Sequence, residues 1–215
     1  MRIYAVADVH GKNKNFLKIK DIISLHKPDI LVIAGDITHL FAPRKTFELL
    51  QNISIPIFCI RGNSDFKCIE KFSRNQNNTT FLNHIPLKYK NTQFLGLNGT
   101  IPLPFLSKIC LQEAKLFGLI KRVINSETIL VVHPPPRGIC DKVGNKFSAG
   151  SFQLKSLIKS HSPLIVLCGH IHEQAGYQFF KNTLIVNCAM NKQFSGAIIE
   201  YENAMPLKVN MVINS

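Results

Sequence analysis

The chain has 215 residues, 46% of them hydrophobic and 18% charged, which excludes a disordered or fibrous protein and fits one globular domain over residues 1–215. No apolar run approaches the roughly 18 residues needed to cross a bilayer, and no basic-then-apolar leader precedes the first strand, so a cytoplasmic protein with no membrane contact is expected. The formal charge of +13 favours anionic partners such as nucleotides, nucleic acid or other phosphorylated compounds, although lysines scattered without a dense block read first as a basic solvated surface.

The elements alternate in type along the chain. "RIYAVAD" reads as a buried strand, and "NKNFLKIKDIISLHK" as a helix whose stripe is Phe16, Leu17, Ile19, Ile22, Ile23 and Leu25, ending before Pro28. The strand "DILVIAGD" follows, then a helix over Arg44 to Gln51, the strand "PIFCIRG" and a short helix near Phe66 to Phe72. "TTFL", "PLKYKNTQFLGLNG", "YQFFKNTLIVNC" and "GAIIEYENAMPLKVNMVI" look like hairpins, the last three with Asn-containing turns. Between them fall a long helix from Ser107 to Asn125, the strand "ETILVVH", a Pro/Gly-rich loop, a helix from Ala149 to Ser160 and the strand "LIVLC". This order predicts a mixed α/β domain with helices outside packed sheets. The six cysteines, Cys59, Cys68, Cys110, Cys140, Cys168 and Cys188, show no CxxC pairing and read as reduced thiols.

Polar residues collect where strands end. "ADVHG" supplies Asp8 and His10, "AGDITH" supplies Asp36, "RGNSD" supplies Asn63 and Asp65, "VVHPPP" supplies His133, and "CGHIH" supplies His170 and His172. Carboxyl ends of strands are where open α/β sheets form ligand crevices. Carboxylate, imidazole and amide oxygen without thiolate are ligands of moderately hard divalent metals, and a carboxylate such as Asp36 can bridge two ions. An extended backbone after "LIVLC" would put His170 and His172 on one side.

This ordered set resembles the calcineurin-like metallophosphoesterases, and "HPPPRG" with "GHIHEQAG" is similar to their compact phosphodiesterase-like branch. The pattern Asp-x-His, Gly-Asp, Gly-Asn, lone His and Gly-His-x-His is matched by Asp8-Val9-His10, Gly35-Asp36, Gly62-Asn63, His133 and Gly169-His170-Ile171-His172. The resemblance implies a four-layer αββα sandwich of two mixed sheets flanked by helices. It also implies two divalent ions, manganese first, with iron, zinc, nickel or magnesium as alternatives. Asp8, His10, Asp36 and His172 would hold one ion and Asp36, Asn63, His133 and His170 the other, with Asp36, Asn63 and His133 counted as catalytic. Two ions roughly 3.5–4 Å apart can clamp a phosphoryl group, lower the pKa of a bridging water towards about 7 and present the resulting hydroxide for attack.

The chain departs from the pattern at Ser64, where many members carry a histidine after Gly-Asn that assists the leaving group. That favours a phosphodiesterase over a monoesterase, acting on a small phosphodiester or nucleotide, and leaves Asp65 free to order the loop. His39 and Arg137 are further candidates for substrate contact, each weighed against an exposed loop residue. Glu173 reads as an orienting partner or a surface residue, while His26 and His161 read as helix-end caps and His84 as a turn residue. Within the enzyme class a nuclease is the less favoured alternative. A non-catalytic protein-interaction module on the same fold is the reading from another class.

Overall fold

Strand β1 (Arg2–Val6) turns Ile3 and Ala5 to one side and Tyr4 and Val6 to the other, and all four are fully buried. Burial on both faces is the mark of parallel strands covered above and below. The computed structural model describes residues 1–38, 43–74, 76–98, 116–144, 146–202 and 208–214. Among these, β2 (Ile30–Ala34), β3 (Ile57–Ile60) and β4 (Thr79–Phe81) continue the parallel run from β1, while β13 (Phe194–Glu200) and β14 (Lys208–Ile213) add antiparallel strands on its other side. The first sheet is therefore ordered β14-β13-β1-β2-β3-β4.

The second sheet, ordered β11-β12-β10-β7-β6-β5, comprises β5 (Leu87–Tyr89), β6 (Thr92–Gly96), β7 (Thr128–Val131), β10 (Ile165–Cys168), β11 (Gly176–Phe180) and β12 (Thr183–Asn187). Its four central strands are parallel and its two edge strands antiparallel. Ile3, Ala5, Val32 and Ile60 from the first sheet share one apolar layer with Phe94, Val131, Leu167 and Val186 from the second. The outer face of the first sheet packs on Phe16, Ile19 and Ile22 of α1 (Asn13–His26) and Phe47 and Leu50 of α2 (Pro43–Gln51). The outer face of the second packs on Phe117, Ile120 and Ile124, in and after the helical residues 116–120, and on Leu154, Leu157 and Ile158 of the helix Phe152–His161. Helix, sheet, sheet and helix make the αββα sandwich, with each fully buried aliphatic anchor contributing about 1.5–3 kcal/mol.

Several local expectations are corrected. "TTFL" is no hairpin, because β4 lies parallel to β3 with Ile57 opposite Thr79. The crossover this requires runs through a 3-10 turn at Lys67–Ile69 and α3 (Glu70–Ser73). The stripe of α1 is narrower than six residues: Leu17 and Leu25 are 63% and 76% exposed, since the sheet covers only the strip through Phe16, Ile19 and Ile22. The helix expected over Ser107 to Asn125 stops being helical after residue 120, and residues 107–115 lie outside the described ones. The helix expected from Ala149 starts instead at Phe152, because the Ser151 side chain accepts a hydrogen bond from Leu154 N and caps it. The Pro/Gly-rich loop contains an unforeseen ribbon of β8 (Lys142–Val143) and β9 (Phe147–Ser148).

Two of the hairpins keep their turn chemistry. Lys90 and Asn91 between β5 and β6 have φ of 44° and 61°, the double left-handed pair that suits the twist of a two-residue turn, and Lys181 between β11 and β12 has φ 54°. In the third, β13 and β14 pair antiparallel, and residues 203–207 between them lie outside the described ones. His26 and His161 each end a helix; the His161 Nδ1 lies 3.2 Å from Leu157 O, as a helix-end role requires. No helix among the described residues is long and apolar enough to cross a membrane.

Candidate metal centre

Parallel pairing of β1, β2 and β3 brings their carboxyl ends side by side, and those of β7 and β10 meet them from the second sheet. The loops leaving these five strands carry Asp8 and His10, Asp36, Asn63, His133, and His170 with His172. Backbone hydrogen bonds lock loop to loop: Asp8 N donates to Gly35 O at 3.1 Å, His10 N to Asp36 O at 2.8 Å and Gly169 N to His133 O at 2.8 Å. A site assembled from five separate strand ends is thus held by the same ladders that hold the sheets.

The side chains converge. Asp36 Oδ2 lies 3.5 Å from His133 Nε2 and 4.0 Å from His10 Nε2. Asp8 Oδ1 lies 3.1 Å from His172 Nε2, 3.9 Å from His133 Nε2 and 4.0 Å from His10 Nε2. Asn63 Oδ1 stands 2.9 Å from both His133 Nε2 and His170 Nδ1. All seven residues drawn from the sequence motifs are therefore brought to one place.

The backbone route of the last two differs from the extended one expected. Strand β10 ends at Cys168, His170 has φ 71°, and His172 opens a 3-10 turn to Gln174. The left-handed bend at His170, and not strand alternation, aims the two rings into the site. Asp8, His10 and Asp36 share this conformation, with φ of 60°, 52° and 52°. Left-handed backbone at a non-glycine residue costs of order 1–3 kcal/mol and persists where the surroundings over-determine it, most often at functional sites.

The glycines of the motifs are explained by close approach. A Cβ at Gly35 would stand 2.5 Å from His133 Nδ1, one at Gly62 2.1 Å from Asp36 Oδ1, and one at Gly169 2.6 Å from Asp8 Oδ2. Each glycine lets the main chain of one loop lie against the ligand of another.

The electrostatics are those of buried carboxylates shared among imidazoles. Burial pushes the Asp36 carboxyl up, but hydrogen bonding and charge from His133, with help from Ser64, prevail and hold it well below the usual carboxylate range. Burial of His133 opposes its cation, yet the Asp36 hydrogen bond and the charges of Asp8 and Asp36 raise its pKa to about 9. Contact with Asp8 raises His172, whereas burial dominates at His10 and His170 and lowers both. His133 Nδ1 donates to Ala34 O at 2.8 Å, which fixes the tautomer and turns Nε2 towards Asp36 and Asn63.

These residues fit divalent cations. Asp8 Oδ1 is buried without a well-formed hydrogen bond, with His172 Nε2 close but off the hydrogen-bonding direction, so an acceptor with negative charge faces the cluster unsatisfied. Two groups, Asp8, His10 and His172 on one side and Asp8, Asp36 and His133 on the other, keep their donor atoms within 4.8 Å of one another. Oxygen and nitrogen donors in two adjacent sets suit a dinuclear centre of a metal-dependent hydrolase.

The remaining candidates have different surroundings. Asp65 is buried and joins the loops of Asp36 and Asn63. Ser64 N donates to Asp36 Oδ1 at 2.8 Å, while Ser64 Oγ is buried beside the same carboxylate. Arg137 is a loop staple: its Nη1 donates to Ser148 O, and its guanidinium lies 4.8 Å from the centroid of the Phe152 ring. Glu173 is exposed and accepts from Gly144 N at 2.9 Å. His39 lies outside the described residues. Sequence reading missed Asn187 and Asn191, whose Nδ2 atoms donate to Ile171 O at 2.9 Å and His172 O at 2.7 Å and so brace the histidine loop. An asparagine at or beyond a strand end signals only a turn, so nothing in the pattern marked Asn187, the last residue of β12, or Asn191.

Known proteins resemble this chain in sequence pattern and fold. The family model for calcineurin-like phosphoesterases matches residues 1–174. An uncharacterized protein of Methanocaldococcus jannaschii is 29% identical over 205 residues, covering 90% of each chain. Among solved structures, a dimetal phosphatase from Danio rerio aligns with a TM-score of 0.70 at 12% identity, over 100% of this chain and 99% of that one. An archaeal phosphodiesterase aligns with a TM-score of 0.56 at 14% identity, over 99% and 100% of the two chains. The match to the family model spans most of the chain and includes all seven candidate metal-centre residues: the protein belongs to the calcineurin-like phosphoesterases.

Proposed function

We propose that the protein is a dinuclear metal-dependent phosphodiesterase that hydrolyses a small phosphodiester or a nucleotide. The observation that carries this reading is Asp36 Oδ2, poised between His10 Nε2 and His133 Nε2 beside the unsatisfied Asp8 Oδ1. Asp8, His10 and His172 would hold one ion, Asn63, His133 and His170 the other, and Asp36 both. Manganese is the proposed metal, with iron, zinc, nickel or magnesium as alternatives. Two bound ions supply Lewis acidity to a phosphoryl group and bring the pKa of a water between them towards about 7.

The chain's own residues set what the ions can do. His133 Nδ1 donates to Ala34 O, so its Nε2 would serve as a ligand once the proton it carries in the metal-free site is displaced. In that metal-free site the protonated His133 holds Asp36 ionised. The loop after Asn63 presents Ser64 in place of an imidazole, so no proton reaches the leaving oxygen from that position. Such a site suits esters whose leaving group is a weak base, which points to diesters with aryl leaving groups.

The test is a metal-dependence profile on a panel of mono-, di- and cyclic phosphoesters. Activation by manganese with preference for diesters is expected; preference for alkyl monoesters overturns the reading. The +13 charge supports one alternative, a nuclease, which the same panel extended to a long single strand decides.

A further inference from the structure

Asp65 accepts four hydrogen bonds, and every donor belongs to a loop that carries a metal-centre residue. Its Oδ2 receives Ile37 N and Gly62 N, both at 3.0 Å; its Oδ1 receives Thr38 N at 3.0 Å and Thr38 Oγ1 at 2.8 Å. Ile37 and Thr38 directly follow Asp36, and Gly62 directly precedes Asn63. The side chain is 7% exposed and offers no atom to the cluster of ligand donors.

We propose that Asp65 is a positioning residue that sets the separation of the two metal ions by clasping the Asp36 loop to the Asn63 loop. This rests on the dinuclear reading of the site. Asp36 adopts φ 52°, a conformation that relaxes unless its neighbours are tied, and Asp65 ties the two residues after it. Asn63 belongs to one proposed ion and Asp36 to both, so the spacing of these loops is the spacing of the ions. An ionised carboxylate is the one side chain that accepts four such donors at once; an asparagine at 65 would aim its NH2 at N–H groups and open the clasp. Ser64 N on Asp36 Oδ1 would then still join the loops, so the change is a loosening and not a collapse.

The test uses the full-length protein and Asp65→Asn, titrated with manganese(II) by calorimetry and followed by electron paramagnetic resonance for coupling between ions, with metal-free melting as the fold control. Expected are a first ion bound as in the wild type, a second bound about 10–100-fold more weakly, and loss of the spin-coupled signal. Thr38→Val removes one donor and should weaken the second ion by about 2- to 10-fold with melting unchanged. Two ions at wild-type affinity and coupling in Asp65→Asn overturn the proposal. Should that variant not fold, wild-type second-ion affinity in Thr38→Val overturns it instead. A wild-type chain that takes up a single ion removes the dinuclear reading and this proposal with it, a result distinct from a two-ion wild type matched by its variants.

Discussion

Gly62 lies so close to Asp36 that a Cβ at position 62 would stand 2.1 Å from Asp36 Oδ1 and 2.4 Å from its main-chain nitrogen. The glycine of the Gly-Asn pair is thus a requirement of the neighbouring loop and not of its own conformation. Gly62→Ala must push Asp36 away, because the atoms it would meet include main chain that cannot yield cheaply. Overpacking of this kind costs about 1–3 kcal/mol. The melting temperature should fall, and metal uptake should fall with it; an alanine variant with wild-type melting and metal content would contradict the packing.

Asp36 is the proposed ligand of both ions, whereas the two donor groups seen in the structure have Asp8 in common. Loss of a residue that merely orients a ligand costs about 10–100-fold in metal affinity or activity, so Asp36→Asn, which removes a charge shared by both ions, should cost more than about 100-fold. Circular dichroism should show the fold retained, since Ser64 N can still donate to the amide oxygen. Two tightly bound ions with near wild-type turnover in this variant would refute the bridging role.

The legible part of the site was the part written in residue type at strand ends. Asp8, Asp36, His133 and the rest could be collected because parallel strands deliver their carboxyl ends to one edge, and that rule needs no coordinates. The aim of each side chain was not legible. His170 and His172 meet through a left-handed turn, φ 71° at His170, that hydropathy alternation cannot report. The braces were also hidden, since Asn187 and Asn191 act through contacts 16 and 19 residues away in sequence. In the fold, short apolar runs revealed the buried strands but not their partners, and the residues of "TTFL" do not say whether their neighbour runs parallel or antiparallel.

The +13 charge gives a prediction about nucleic acid. If a strand were the substrate, its affinity should fall with salt at a slope of about −0.7 per phosphate contact. Weak, sequence-independent binding is expected by fluorescence anisotropy across a salt series. Tight, salt-sensitive binding coupled to metal-dependent cleavage of a long single strand would replace the small diester with a nuclease reading.

Ser64 carries the last prediction. With no imidazole beside Asn63, a departing oxygen is stabilised only if it is a weak base or receives help from metal or solvent, so aryl diesters should be hydrolysed better than alkyl ones. Ser64→His should narrow that gap, because acid assistance, typically about 10²- to 10⁴-fold in rate, helps a basic leaving group most. The main chain tolerates the change, as Ser64 N and not its hydroxyl makes the 2.8 Å bond to Asp36 Oδ1. Ser64 Oγ is buried, while Asn63 next to it is exposed, so the imidazole assists only if it turns to the Asn63 side. The measurement is the ratio of kcat/KM for alkyl and aryl diesters at saturating metal, so that altered ion loading is not read as chemistry. A wild-type protein already indifferent to leaving-group pKa would refute the argument and direct the search for an acid to His39, three residues after Asp36 in the sequence.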